Sequence, residues 1–360
     1  MNRIPNQPIK GRGAVSNSEG RFESLRVESA HDGWDLLEEL PSAPQTTVSR
    51  ETAKSIISRN DSPDIPYDQS INPYRGCEHG CVYCFARPTH SYLNLSPGLD
   101  FETKLFYKDN AAALLEKELS KPGYQCSSIN LGSATDPYQP IEKKLMVTRS
   151  LLEVLARFQH PATVLTKGTL VERDIDLLAG MAQKQLVSVA ISITSLRDDL
   201  KRTLEPRAAS VAARFRTVRR LSDAGIPVFV LFAPVIPFVN DSELEEVIKQ
   251  AAEAGAKGAN YVFLRLPHEL KEIFREWLQA HVPQKAEHVM SLVQQSRGGK
   301  DYDSEWGQRM RGQGVLADLI KQRFLLACRR HQLQNRAVWR LDTTQFKVPP
   351  RSGDQMGLGF

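Results

Sequence analysis

Apolar positions along this chain recur with two periods that take turns, and the alternation predicts its elements. Strands are expected at 69–74, 127–132, 162–167, 186–194, 228–233 and 260–266. Helices are expected between them at 108–119, 145–158, 171–183 and 208–223, with one more ending near Gly255. Leu151, Leu152, Val154, Leu155 and Phe158 give 145–158 one broad apolar face. Val211, Phe215, Val218 and Leu221 make a stripe on 208–223, which stops at Gly225 and Pro227. Asn240 or Asp241 is the expected cap of the helix that carries Leu244, Val247, Ile248 and Ala251. Six strands alternating with helices imply right-handed βαβ units and a parallel sheet. Periodicity does not say whether that sheet lies flat or curls.

The fourth strand carries a further signal. Val187, Val189, Ile191 and Ile193 alternate with Ser188, Ala190, Ser192 and Thr194, so one face is branched and apolar and the other small or hydroxylated. A flat parallel sheet covered on both sides should be apolar on both. The small polar face therefore points to a cavity or barrel interior.

Outside 48–267 the pattern changes. Residues 1–47 read as an irregular arm in which Trp34, Leu36 and Leu37 supply one short docking element. The GRGA word at 11–14 reads as a flexible basic tail, with an anion-binding turn as the alternative. After Pro267 come helices without strands, at 268–278, 284–295 and 315–331. They form a helical extension over 268–348 that closes the barrel's side or mouth, followed by a tail at 349–360. Met146, Met181 and Met290 fall in apolar patterns and read as core.

With 360 residues and 41% hydrophobic content, the chain can bury a substantial core. Its longest apolar run, 226–239, is broken by Pro227, Pro234 and Pro237 and is too short to span a bilayer. Residues 1–20 are polar, without the apolar stretch of a signal peptide, so a reducing cytoplasm is the expected setting and no membrane partner is expected. A net charge of +5 permits a nucleic-acid partner without arguing for one, and nothing in the pattern fixes the oligomeric state.

Three of the five cysteines, Cys77, Cys81 and Cys84, stand in one loop, NPYRGCEHGCVYCFARPTHSY. Gly76 and Gly80 let that loop fold tightly. An odd, local set of thiols argues against a disulfide framework and for a metal. A structural zinc would need His79 or His90 as a fourth ligand, and a basic helix could then make the chain a zinc-stapled nucleic-acid-binding module. A 4Fe-4S cluster held by three thiolates would instead keep one iron open.

CxxxCxxC with Tyr83 before the last cysteine resembles the signature of radical S-adenosylmethionine enzymes. The words SATDPYQP at 133–140, TKGTLVERDIDLL at 166–178 and SITSLRDDLKRTLEPRAAS at 192–210 resemble the branch related to spore photoproduct lyase. That resemblance implies an α/β fold, a six-unit (β/α) partial TIM barrel. It implies that Cys77, Cys81 and Cys84 hold a 4Fe-4S cluster whose fourth iron is chelated by S-adenosylmethionine. A flavodoxin- or ferredoxin-like donor then reduces the cluster, and the resulting 5′-deoxyadenosyl radical takes a hydrogen atom from a substrate the sequence does not name. Tyr83 joins the cofactor-binding set by the same resemblance. Ser133, Thr135 and Asp136, at the end of the second strand, are expected to meet the cofactor ammonium, although Asp before Pro is also ordinary turn chemistry. Lys167 is expected to face its carboxylate. Ser192 and Thr194 are expected beside its ribose and amino-acid portion, local carbonyls being the plain alternative for their hydroxyls. Glu205, Arg207 and Arg265 could pair charges near the mouth, whereas Arg214, Arg216, Arg219 and Arg220 read as a solvated helix face. The photoproduct lyases carry a hydrogen-donating cysteine where this chain has Ser133 or Ala134, which weakens DNA photoproduct repair as a reading.

Overall fold

A computed structural model describes residues 8–22, 44–335 and 339–350. Its centre is an open parallel sheet: β1 (Gln69–Ile71), β2 (Ile129–Leu131), β3 (Ala162–Thr166), β4 (Val187–Ser192), β5 (Val228–Val235) and β6 (Gly258–Phe263). Each strand pairs in parallel with the next in sequence, and the ends of the sheet do not pair with each other. Helices α1 (Ala111–Leu119), α2 (Val147–Arg157), α3 (Ile175–Gln183), α4 (Val211–Asp223) and α5 (Leu244–Glu253) fill the crossovers. This is the partial TIM barrel expected of six consecutive β/α units.

The two faces of the sheet divide as the fourth strand suggests. Ile129, Leu131, Val164, Val187, Val189 and Ile191 join Leu151, Leu155, Leu178 and Val218 in one apolar core beneath the helices. Leu151, Leu152 and Leu155 are completely buried, each worth roughly 1.5–3 kcal/mol in transfer terms. On the other face, Ser70, Asn130, Thr163 and Ser188 stand opposite one another across β1 to β4, and Thr163 Oγ1 donates to Asn130 Oδ1 at 2.8 Å. The barrel interior is therefore lined by small and polar groups.

Several local expectations are corrected. Residues 104–108, whose last residue opened the expected helix 108–119, form a strand, Lys104–Lys108. It pairs with Thr47–Glu51 and Tyr74–Arg75 in a separate three-stranded sheet, and its run Leu105, Phe106, Tyr107 suits a pleated surface. Asn240 does not cap α5. Its amide donates to Thr194 O and Pro234 O at 2.7 and 2.9 Å and accepts from Ile236 N at 2.7 Å, tying the ends of β4 and β5 together. Met146 is exposed and left-handed at φ 54°, so it is a hinge between short helices rather than core.

Beyond β6, α6 (Leu270–His281) and α7 (Pro283–Gln295) pack with Val82, Leu204, Ile236 and Leu266 at the mouth. Helix α8 (Gly314–Arg330) lies against α5 and β6, and Gln334–Asn335 adds a parallel edge strand to β6. The chain then crosses the opposite end of the barrel: Asp342 N donates to Gln185 O, Lys347 N to Phe158 O, and the Phe346 ring sits 5.4 Å from those of Tyr124 and His160. The proposed docking element at Trp34, Leu36 and Leu37 lies outside the described residues.

Candidate active site

The three-cysteine loop leaves β1 and is fixed mainly by backbone hydrogen bonds. Cys77 N donates to Phe101 O at 2.9 Å, Val82 N to Leu204 O at 3.0 Å and Cys84 N to Cys81 O at 3.2 Å. Gly76 and Gly80 are left-handed at φ 72° and 67°, and a Cβ on Gly76 would stand 2.8 Å from Phe101 O. Arg87, fully buried, donates to the carbonyls of Cys81 (2.8 Å), Gly80 (3.1 Å), Gly98 (2.8 Å) and Pro97 (3.1 Å). It also forms an ion pair with the equally buried Glu102. The remaining capacity of Glu102 is taken by Gly13 N at 3.0 Å and Ala14 N at 2.8 Å. The GRGA segment is thus no flexible tail. It is an anion-binding turn, and the anion is the protein's own carboxylate.

A second network faces the loop from the strand ends. Lys167, just past β3, donates from Nζ to Ser192 Oγ at 3.0 Å and lies 5.8 Å from the centre of the Tyr83 ring. Tyr83 OH is 2.9 Å from Thr194 Oγ1, and both hydroxyls donate to Glu205. Arg214, from α4, pairs with Glu205 and donates to Ser192 O at 3.0 Å. At the β2 end, Asn72 Nδ2 donates to Ser133 Oγ at 2.9 Å while its Oδ1 accepts from Ala134 N at 2.7 Å. Asp136 accepts from Thr166 Oγ1 at 2.6 Å, Lys167 N at 2.7 Å and Tyr138 N at 2.9 Å. His79 Nδ1 is 3.2 Å from Asp136 Oδ2 but poorly aligned for a hydrogen bond.

Electrostatics follow from this geometry. Burial alone would raise the carboxyl of Asp136, yet His79 and the donors from Thr166 and Lys167 bring it down to about 2. Glu205 is likewise opposed by burial and brought to about 2 by Arg214 and Lys167. The thiols move the other way. Burial holds Cys77 well above the usual range, and Asp136, Cys81 and Cys84 reinforce it. Cys81 is pushed up to about 12, with Lys167 as the main opposing charge, and Cys84 is raised by burial. Two buried thiols and a half-buried third whose ionisation is held back become ligands when a cationic group compensates them. The donor set therefore suits an iron-sulfur cluster. Among the described residues, no group of three or more His, Cys, Asp or Glu is gathered to hold a single metal ion. His79 is turned to Asp136, and His90 Nε2 lies 2.9 Å from Lys104 O. The arrangement gives a zinc staple no support.

The structure brings Tyr83, Lys167, Ser192 and Thr194 into one network, and Ser133, Thr135 and Asp136 into the turn beside it. Among these, Thr135 Oγ1 is buried without a hydrogen-bond partner, so it keeps its capacity for a ligand. Arg207 pairs with Glu78 at 2.8 Å. Arg214 corrects the sequence reading, since it is 1% exposed. The remaining arginines of α4 do face outward, Arg220 onto Glu172, where with Arg216, Thr169 and Ala213 they line a cleft of about 330 Å³. Sequence reasoning missed Glu102 and Arg87 altogether, and it gave Asn240 a capping role in place of its tie between the ends of β4 and β5.

A polar-lined partial barrel with a thiol-bearing loop over the C-terminal ends of its strands defines an α/β enzyme with its site at the barrel mouth. The Radical SAM superfamily is matched over residues 71–251, and the chain belongs to it. An uncharacterized protein of Mycobacterium tuberculosis is 38% identical over 230 residues, 63% of this chain and 68% of the relative. Another, of Methanocaldococcus jannaschii, is 28% identical over 237 residues, 66% of this chain and 84% of that protein. The solved structure of spore photoproduct lyase complexed with dinucleoside spore photoproduct has the same fold, with a TM-score of 0.56 at 15% identity over 79% of each chain. The protein is accordingly an enzyme of the radical SAM class, and membership implies a 4Fe-4S cluster and S-adenosylmethionine. No helix among the described residues is long and apolar enough to cross a membrane.

Proposed function

We propose that Cys77, Cys81 and Cys84 hold a 4Fe-4S cluster and that the polar network around Lys167 binds S-adenosylmethionine. The observation that supports this most directly is a half-buried cation, Lys167, held by Ser192 beside the Tyr83 ring of the thiol loop at the C-terminal edge of the sheet. When bound, the cluster and S-adenosylmethionine supply a 5′-deoxyadenosyl radical that abstracts hydrogen from a substrate. Lys167 offers a fixed positive charge to the cofactor carboxylate. The Thr135 hydroxyl offers a polar group not already committed within the protein. Tyr83 and Glu205 hold the loop against β4, and Arg214 keeps Glu205 ionised. The reductant in this reading is an external flavodoxin- or ferredoxin-like protein.

Photoproduct repair is not carried over from the structural neighbour. Ser133 Oγ is bound to Asn72, and the two further thiols, Cys126 before β2 and Cys328 on α8, lie away from the mouth. Anaerobic reconstitution with iron and sulfide tests the proposal. Cluster absorbance is expected, with 5′-deoxyadenosine formed from S-adenosylmethionine on addition of dithionite, and Cys81→Ala should lose both. Retained cleavage in that variant would remove the ligand assignment.

A further inference from the structure

Among the described residues, several buried or half-buried cations have an acidic partner. Arg87 pairs with Glu102, Arg214 with Glu205, and Arg149 and Arg173 with Asp174. Others that lack one gather at the end of β6. Arg265, two residues beyond the strand, holds its guanidinium 4.9 Å from the centre of the Phe85 ring, and Phe85 is the residue after Cys84. Its Nη1 lies 3.5 Å from Met310 Sδ and its Nη2 3.5 Å from Tyr302 OH, both at the limit of a hydrogen bond, while Nε is shielded from water with no partner. Arg297, 1% exposed, donates to Leu264 O at 2.7 Å and Gln308 O at 2.8 Å, and its Nε is also unpartnered. Arg311 donates to Tyr261 O at 2.8 Å and Asn260 Oδ1 at 2.6 Å. Among the described residues, none of the three has a carboxylate within ion-pair distance. The acid nearest in effect, Asp303, accepts from Glu305 N at 2.9 Å.

Taking a guanidinium out of water without a counter-ion is costly unless something else supplies the negative charge. The strain is visible at Arg297, which burial and the charge of Arg265 together hold down at about 10. Arg265 is only half-buried, but it is the member of the trio with the weakest present commitments and the one beside the cysteine loop. Lys167 stands at the end of β3 and Arg265 beyond the end of β6, so the mouth offers two separate cationic positions.

We propose that Arg265, with Tyr302, forms the subsite for an oxyanion of the substrate, a carboxylate or a phosphate, distinct from the cofactor position at Lys167. A guanidinium fork takes either group through two parallel donors, and the stack on Phe85 fixes its plane. The substrate class that follows is an anionic molecule whose charged group anchors beyond β6 while its reacting carbon lies toward the cysteine loop. This inference rests on the radical reading only for that last clause.

The test is anion-dependent stabilisation of the reconstituted full chain at constant ionic strength, with inorganic phosphate and acetate in separate arms and chloride as the reference. The expected result is a rise of the denaturation midpoint with phosphate or acetate above chloride, and the stronger arm identifies the headgroup. Arg265→Gln should weaken the apparent affinity at least tenfold, and Tyr302→Phe several-fold with the fold left intact. Stabilisation no greater than that by chloride, or equal affinities in the wild type and both variants, would overturn the assignment. The two readings fail separately: absence of 5′-deoxyadenosine removes the radical chemistry and leaves the titration standing, whereas a flat titration removes only the subsite.

Discussion

Replacing Gly13 with alanine probes how the N-terminal segment supports the cysteine loop. A Cβ at residue 13 would stand 1.9 Å from Gly80 O and 3.2 Å from Val82 N, both backbone atoms of that loop. Neither can swing aside as a side chain would, so the turn must retreat from the loop. Its retreat stretches the donors from Gly13 and Ala14 to Glu102. A hydrogen bond to a charged group is worth about 1.5–3 kcal/mol, so losing both costs about 3–6 kcal/mol and leaves Arg87 as the remaining charged partner of a fully buried carboxylate. Gly11→Ala is the control. Gly11 is also left-handed, at φ 78°, but nothing lies within 4 Å of its Cβ position, so only backbone strain of about 1–2 kcal/mol applies. Urea denaturation followed by circular dichroism reads the stability, and iron per chain after reconstitution reads the loop. Gly13→Ala should fall well below Gly11→Ala in both. Equal midpoints and equal iron content for the two variants would refute the coupling of arm to loop.

The buried Arg214–Glu205 pair makes a related prediction: Arg214→Met should cost about 3–5 kcal/mol by leaving Glu205 uncompensated, and adding Glu205→Gln should recover part of it. An exposed pair such as Arg197 with Asp199 is the comparison, worth about 0–1 kcal/mol, and an equally small effect at Arg214 would contradict the network. Lys167→Met should weaken S-adenosylmethionine binding in equilibrium dialysis at least tenfold while iron content holds. Unchanged binding would free Lys167 from the cofactor role. At the closed end of the barrel, burial lowers His160 to about 4, its Nε2 facing Tyr124 OH and its Nδ1 Pro161 O. The unfolded chain binds this proton near pH 6.5, so the contribution is full above that pH and lost as pH falls toward 4, about 2 kcal/mol of it by pH 5. The urea midpoint should therefore drop between pH 7 and 5, and His160→Gln should flatten the drop; an unaltered slope would count against it.

What could be read from the chain was local or repeated. Six strands and five crossover helices follow from periods of two and 3.6 residues, and each period is set by neighbours a few positions away. The thiol loop was legible for the same reason, since eight residues contain all three sulfurs. The Lys104–Lys108 strand was hidden because its partners, Thr47–Glu51 and Tyr74–Arg75, lie far off in sequence and make a sheet outside the barrel. Arg87 and Glu102 were illegible because their meaning depends on Gly13, Ala14 and the loop carbonyls, up to 89 residues away. Arg214 did leave a signal. It stands three residues after Val211 and four before Val218, on the buried stripe of α4, where a cation demands a partner.

That signal generalises to the whole mouth. A buried charge with a partner explains itself: Glu102 holds Arg87, Glu205 holds Arg214, and Asp136 ties the β2 turn to Thr166 and Lys167. Removing either member of such a set destabilises the fold whatever the enzyme acts upon, so these residues report on architecture. A buried charge lacking a partner cannot be there for stability, because a neutral side chain of similar size would cost less. Arg265 is half-buried and shares part of this character, standing beside Phe85 with Nε shielded and unpartnered and only distant contacts at its Nη atoms. Its Nε is shielded from water at the rim with no hydrogen-bond partner, and on the subsite proposal the negative charge that would answer it arrives with the substrate.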